Sequence, residues 1–434
     1  MTASSWIDAT EVVTSGAAHQ IINPANGGVV AEFALATPAD VDTAVAAARK
    51  ALPGWATATP AERSSVLAKL AKLADAAAKD LVAEEVAQTG KPVRLASEFD
   101  VPGSVDNIDF FAGAARHLEG KATAEYSADH TSSIRREAIG VVATITPWNY
   151  PLQMAVWKAL PALAAGCSVV IKPAEITPLT SVMFAQAAQE AGLPDGVVNV
   201  LTGRGRDAGA ALLRHPQVAM LSFTGSTAVG RTVLEAAATT AKRVHLELGG
   251  KAPFVVFDDA DLDAAIHGAV AGSLINTGQD CTAATRAIVH ESLYADFVAG
   301  VAELYAKVTL GPTDDPATDL GPLVSTAHRD KVAEMVERAR GYARVIVTGP
   351  RSSRTPIRAA RSSGTRCSGR CWRPTRSAAT TRRSSWPTTH RTGWPRPRGP
   401  ATCTGRSGRR ARSAPAASGS TTTSRSSARC RTAG

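Results

Sequence analysis

From Gly140 to Phe257 the chain alternates short runs of β-branched residues with helical stretches, and this alternation restricts the folds open to it. Gly140-Val-Val-Ala-Thr-Ile-Thr146, Ser168-Val-Val-Ile-Lys-Pro173, Val197-Val-Asn-Val-Leu201 and Met220-Leu-Ser-Phe223 read as strands, with helices over Met154 to Ala165 and through Ala191. Continuous Val/Ile runs mark strands buried on both faces, so the expectation is an α/β fold with a parallel sheet covered by helices. Ligands bind such sheets at the carboxyl ends of the strands. A second unit of the same kind begins at Ala252-Pro-Phe-Val-Val-Phe257. It continues with a helix from Asp261 to Ile275, a strand at Ala287-Ile-Val-His-Glu291 and a helix through Val308. A helix from His328 to Arg340 and a short strand from Ala343 to Thr348 follow.

Ahead of this region, Thr37-Pro-Ala-Asp40 and Thr59-Pro-Ala-Glu62 are helix starts: a capping Thr, Pro at the first helical position and an acid three residues after the cap. The second opens a helix with Val66, Leu70, Leu73 and Ala77 on one face, expected to run to Gln88 and stop at Thr89-Gly-Lys-Pro92. Asp100 to Ala115 reads as another helix. Its acids Asp100, Asp106 and Asp109 form a solvated face, or one of them lines a substrate entrance.

The chemistry concentrates at Asn276-Thr-Gly-Gln-Asp-Cys-Thr-Ala-Ala-Thr-Arg286. A single loop cysteine usually behaves as a small hydrophobe. Here Leu246-Glu-Leu-Gly-Gly-Lys251 adds Glu247 as a base, and Thr146-Pro-Trp-Asn-Tyr-Pro151 adds the Asn149 side-chain amide as a donor. Thiol, carboxylate and amide donor are the parts that acyl chemistry at an aldehyde carbon needs. Two further features sit at strand ends. Lys172-Pro-Ala-Glu175 offers groups that reach ribose hydroxyls, and Phe223-Thr-Gly-Ser-Thr-Ala-Val-Gly230 opens a helix whose free N–H groups favour a phosphate. The latter is not the Gly-x-Gly-x-x-Gly fingerprint, and taken by itself it is an ordinary strand–helix turn. The acid at Glu175 repels a 2′-phosphate and so favours NAD over NADP.

The formal net charge of +10 would suggest a nucleic-acid partner if it were evenly spread. Residues 351–434 hold 20 Arg and no Lys, Asp or Glu, which leaves 28 basic against 38 acidic residues before them. The basic character belongs to one segment, and no nucleic-acid partner is expected. Four of the six cysteines also lie there. Zinc binding by Cys367, Cys371 and His390 lacks a second paired ligand set, so no metal is expected. Residues 1–10 carry no basic flank before an apolar core, and no apolar run approaches the ~20 residues of a membrane span. The expectation is a cytoplasmic protein without a membrane partner.

Thr146-Pro-Trp-Asn149, Lys172-Pro-Ala-Glu175, Phe223-Thr-Gly-Ser226, Glu247-Leu-Gly-Gly-Lys251 and Gly278-Gln-Asp-Cys281 occur in an order and spacing that resembles the NAD(P)-dependent aldehyde dehydrogenases, over residues 20 to 349. The Gly278 to Arg286 stretch is similar to the branch acting on aminobutyraldehyde and related ω-aminoaldehydes. Betaine aldehyde and succinate semialdehyde are alternative substrates. The resemblance implies a Rossmann-like NAD-binding domain (residues 1–248), with a small β extension around 124–139 used in dimer or tetramer assembly. It also implies an α/β catalytic domain over 249–349. Cys281, Glu247 and Asn149 would then be catalytic. Thr146, Trp148, Lys172, Glu175, Gly225, Ser226, Gly230 and Gly249 would hold NAD, and Asp100, Asp106 and Asp280 would face the substrate.

After Gly349 the resemblance stops where the family continues with Glu-x-Phe-Gly-Pro, whose Glu holds the nicotinamide ribose. Residues 350–434 read as an Arg-rich, disordered tail. Shifted by two bases, codons for Ser362 to Arg370 can encode Ile-Val-Arg-Asp-Glu-Val-Phe-Gly-Pro, and Gly393 to Thr402 and Gly419 to Gly434 hide further family-like stretches in order. A frameshift near Gly349 accounts for this, and an inactive frameshift product with exposed apolar surface is the alternative to an active enzyme.

Overall fold

The structure, a computed structural model, describes residues 4–343, Ile346 and the backbone of 374–377, all within one compact unit. The chain opens with two hairpins, β1 (Ser5–Ile7) with β2 (Thr10–Val12) and β3 (Ala18–Ile22) with β4 (Val29–Ala34). Helices α1 (Pro38–Thr57) and α2 (Pro60–Ala76) start where their caps predict: Thr37 N–H donates to the Asp40 carboxylate at 2.7 Å, and Thr59 N–H to that of Glu62 at 2.7 Å. The helix expected to continue to Gln88 instead breaks at Ala77 (φ −88°, ψ 8°) and resumes as α3 (Ala78–Thr89). Three consecutive alanines carry no side chain that signals the break. Packing sets it, with α2 seated on α5 and α3 on α7.

The short α4 (Val93–Leu95) leads into a π-helical turn at Ala96–Asp100 and then α5 (Val101–Ala114). A separate hairpin of β5 (Lys121–Ser127) and β6 (His130–Ile134) overlaps the stretch expected as a β extension over 124–134 and leaves 135–139 outside it. The alternating region follows: β7 (Val141–Ile145), α6 (Pro151–Ala164), β8 (Ser168–Lys172), α7 (Leu179–Ala191), β9 (Val198–Val200), α8 (Ala210–Arg214), β10 (Val218–Gly225), α9 (Thr227–Ala238) and β11 (Arg243–Leu248). Helix α6 begins three residues earlier than the pattern suggested, because Pro151 pre-sets the first helical φ.

These strands form one sheet in the order β11-β10-β7-β8-β9-β1-β2. From β11 to β9 it is parallel, as expected. The hairpin β1–β2, absent from the sequence reading, adds two antiparallel strands and makes the sheet mixed. Alternate residues serve opposite faces. Val169 and Ile171 pack under α2, α5, α6 and α7, whereas Val141, Ala143, Val170, Leu221 and Phe223 pack under α1, α8 and α9. The strand order reverses between β7 and β10, so the loops at their carboxyl ends border the crevice where such sheets take ligands.

The second unit comprises β12 (Pro253–Val256), α10 (Leu262–Leu274), β13 (Arg286–His290), α11 (Tyr294–Lys307) and α12 (Thr326–Arg340), with Phe297 and Val289 fully buried in its core. On the other side of β12, Val255 and Phe257 are 49% and 67% exposed. A third strand, β14 (Pro374–Ser377), pairs in parallel with β13. This corrects the expectation of disorder throughout 350–434. Ladder bonds are made by main-chain groups, so an open edge on β13 accepts a segment with no apolar pattern. The remainder of that tail, and most of the strand expected over 343–348, lie outside the described residues. No helix among the described residues is long and apolar enough to cross a membrane.

Candidate active site

Cys281 lies on the loop between α10 and β13, half-buried and in no disulfide. The loop enters through three successive left-handed residues: Asn276 (φ 48°), Thr277 (φ 60°) and Gly278 (φ 73°). For the two non-glycine residues this conformation costs roughly 1–2 kcal/mol each, and such strain persists only where surrounding bonds enforce it. Thr277 Oγ1 donates to the Gly321 carbonyl at 3.2 Å, and the Gln279 side-chain oxygen accepts from Val324 N–H at 3.0 Å. Asn276 Nδ2 donates to the Asn149 carbonyl at 2.9 Å and to that of Gln279 at 3.2 Å.

The loop after β7 answers in kind. Asn149 Nδ2 donates to the Gln279 carbonyl at 2.9 Å, two residues before the thiol. The Asn149 and Cys281 loops are thus laced together in both directions. Neither Asn276 nor Gln279 was singled out from the sequence. Asp280 is half-buried beside the thiol and accepts from Thr282 N–H and Oγ1 at 3.1 and 2.7 Å.

Beneath this lacing sits a buried charge cluster that sequence reasoning missed. Lys91 Nζ ion-pairs with Asp100, donates to the Asn149 carbonyl at 3.1 Å and lies 4.6 Å from the centre of the Tyr150 ring. Glu85, also buried, accepts the N–H of Leu152 in the first turn of α6 at 3.0 Å and the Gln88 amide at 3.0 Å. Burial pushes the carboxyls of Glu85 and Asp100 above their usual range, against the opposing charge of Lys91. Burial likewise holds the Tyr150 hydroxyl up, reinforced by the negative charges of Asp280, Asp100 and Cys281.

Asp100 therefore belongs neither to a solvated face nor to a substrate entrance. It has no exposed surface and is tied to Lys91. Asp106 and Asp109 are exposed, as expected, but they line a groove with Lys72 and Asp75 of α2 whose walls include neither Asn149 nor Cys281. Among the three carboxylates assigned to substrate, only Asp280 adjoins the thiol in the chain.

Glu247, the penultimate residue of β11, has its side chain 54% exposed, with Oε1 3.6 Å from His245 Nε2. The residues expected to hold a dinucleotide sit at the carboxyl ends of β7, β8, β10 and β11. Lys172 Nζ is buried and donates to the carbonyls of Pro173 and Gly203 at 2.7 Å each, with Glu175 3.6 Å away and 36% exposed. Burial pushes the Lys172 ammonium below its usual pKa, with Glu175 opposing. Ser226 caps α9 by accepting from Val229 N–H at 3.3 Å, and a Cβ on Gly230 would lie 2.7 Å from the Leu248 side chain, so glycine lets α9 lie close to β11. Trp148 packs instead against His328 of α12, ring centres 4.9 Å apart. Thr146 Oγ1 and Thr224 Oγ1 are buried without a hydrogen-bond partner at the two strand ends bordering the crevice. Orphaned hydroxyls, a helix N-terminus and an accessible carboxylate at the carboxyl ends of neighbouring strands fit a dinucleotide.

Lys91→Met should leave Asp100 buried and unpaired and cost roughly 3–5 kcal/mol of stability, read from the urea unfolding midpoint. Adding Asp100→Leu should recover most of the loss, and an unchanged midpoint in the single variant would contradict the buried-pair assignment.

The model of the Aldehyde dehydrogenase family matches residues 12–359. Among solved structures the chain is similar to PnpE from Pseudomonas sp. WBC-3, at 36% identity and a TM-score of 0.83 over 87% of this chain and 80% of that one. An aldehyde dehydrogenase from Bacillus cereus, solved with NAD+, is 35% identical with a TM-score of 0.83, covering 88% and 80% of the two chains. A betaine aldehyde dehydrogenase from Staphylococcus aureus, also solved with NAD+, is 32% identical with a TM-score of 0.82 over 87% and 78%. The family match spans both of the loops laced together, and the chain belongs to the aldehyde dehydrogenase family.

Proposed function

We propose that the protein oxidises an ω-aminoaldehyde such as 4-aminobutanal to the carboxylic acid, using NAD. The observation that carries this reading is the two-way lacing of the Asn149 and Cys281 loops. Cys281, as thiolate, attacks the aldehyde carbon. Asn149 Nδ2 spends one hydrogen on the Gln279 carbonyl and keeps the second for the oxyanion, beside the Cys281 N–H. Each such donor is worth about 3–4 kcal/mol. NAD, when bound, supplies the hydride acceptor; Thr146, Lys172, Glu175, Gly225, Ser226, Gly230 and Gly249 would hold it, with Trp148 at the crevice. Glu247 then takes a proton from the water that hydrolyses the thioester on Cys281. Asp280, next to the thiol, suits the cationic end of an aminoaldehyde.

On this reading residues 1–248 form the cofactor domain and 249–349 the catalytic one. The β5–β6 hairpin would serve assembly as a dimer or tetramer. The segment after about Gly349 is read as out of frame, and the Glu that would hold the nicotinamide ribose lies in the alternative frame. Sequencing the gene across the Gly349 codon should reveal an insertion or deletion, and an intact frame in independent clones would refute that reading.

With the frame restored, Cys281→Ala should abolish dehydrogenase and esterase turnover, and Glu247→Gln should slow deacylation by about 10²–10⁴-fold while sparing the NADH burst. Retained turnover in the first variant, or a vanished burst in the second, would contradict the assigned roles.

Replacing Glu175 with Ser should narrow the ratio of kcat/KM between NAD and NADP by removing repulsion of the 2′-phosphate. A native preference for NADP would overturn this.

A further inference from the structure

Glu247 does not stand alone near the end of its strand. His245 and Glu247 lie two residues apart on one face of β11, and Ser222 of β10 stands directly beside His245 in the parallel register. Helix α6 covers this face and extends Lys158 into it. Lys158 Nζ donates to Ser222 Oγ at 3.2 Å, Ser222 Oγ lies 3.0 Å from His245 Nδ1, and His245 Nε2 lies 3.6 Å from Glu247 Oε1. Four proton-bearing groups on three elements thus form a line from a lysine that is 4% exposed to the half-exposed carboxylate. The other residues of β11, Val244, Leu246 and Leu248, point to the opposite core, so strand alternation itself assembles the line.

We propose that His245, oriented by Ser222, relays the proton that Glu247 takes from the hydrolytic water to the amine of Lys158. The proposal rests on Glu247 being the deacylation base. The line has two self-consistent alignments. In one, the Lys158 ammonium donates to Ser222, Ser222 O–H donates to His245 Nδ1, and His245 Nε2–H faces the Glu247 carboxylate. In the other, protonated Glu247 donates to His245 Nε2, His245 Nδ1–H donates to Ser222, and Ser222 O–H donates to the neutral Lys158 amine. Passing from the second to the first breaks one O–H bond at Glu247 and forms one N–H bond at Lys158. Each intermediate group gains one proton and loses one, and no electrons change hands. Burial pushes Lys158 down to about 8, with the Glu247 charge opposing, so its amine and ammonium forms are both accessible near neutrality. Glu247 recovers its carboxylate, and the proton later leaves by the same route through His245, which is 50% exposed.

The full 434-residue chain serves for the test, because ester hydrolysis by Cys281 and Glu247 needs no nicotinamide ribose contact. In ¹⁵N-histidine-labelled protein at pH 7, His245 should be the Nε2–H tautomer, and Ser222→Ala should remove that preference. With 4-nitrophenyl acetate, His245→Phe should keep the 4-nitrophenolate burst but lower the steady-state rate about tenfold, and added imidazole should restore it. A merely structural histidine would show no imidazole response. A tautomer preference that Ser222→Ala leaves unchanged, or an unchanged steady state in His245→Phe while Glu247→Gln is slow, would overturn the relay alone. If Glu247→Gln is also unchanged, the base assignment fails and the relay with it.

Discussion

The part-buried peptide carbonyl of Asn149 accepts two hydrogen bonds, one from the Lys91 ammonium at 3.1 Å and one from the Asn276 amide at 2.9 Å. The first ties the loop after β7 to the buried cluster below it, and the second ties it to the loop that carries Cys281. Losing either would forfeit a hydrogen bond worth about 0.5–1.5 kcal/mol net. The same residue returns a hydrogen bond from its side chain to Gln279. The spacing between the proposed oxyanion donor and the proposed nucleophile is therefore set by backbone groups on both sides. Neither side chain has to find the other through its own rotamers.

Those bonds also explain how the Cys281 loop tolerates its backbone. Asn276 and Thr277 sit at positive φ, a conformation expensive for a residue with a Cβ. Asn276 donates twice, Thr277 once, and Gln279 is held at both ends of its side chain. At about 0.5–1.5 kcal/mol net for each hydrogen bond, these contacts offset the strain of two left-handed residues. The strained turn carries the chain toward the Asn149 loop instead of continuing α10.

Buried polar groups recur along one side of the sheet. Glu85, Lys91 and Asp100 lie under the Asn149 loop, and Lys158 and Ser222 under Glu247. All five would be costly if unpaired. Each is paired, and several of the bonds reach elements distant in sequence, as with Glu85 and Leu152, 67 residues apart, and Lys158 and Ser222, 64 residues apart. Helix α6 links the two groups: Glu85 fastens its first turn, and its third turn carries Lys158.

Local patterns in the chain were enough for the strands from Val141 to Gly225, the helix starts at Thr37 and Thr59, and the family membership carried by the motifs around Asn149, Glu247 and Cys281. These signals lie in β-branched runs, caps and short motifs, whose physics acts over a few residues. The hairpin β1–β2, the break at Ala77 and the strand Pro374–Ser377 were not legible, because each exists to satisfy a distant partner and not a local preference. Asp100 shows the limit most clearly. Its spacing with Asp106 and Asp109 suits an exposed helix face, yet it is sealed against Lys91, nine residues earlier in the chain. Lys91 itself reads as part of a helix stop, and His245 as an ordinary strand residue. The sequence alone determined which chemical groups are available and the order in which they come. Tertiary structure decided which of them lost their water and therefore had to find one another, because burial and pairing are properties of surfaces that only the folded chain brings together.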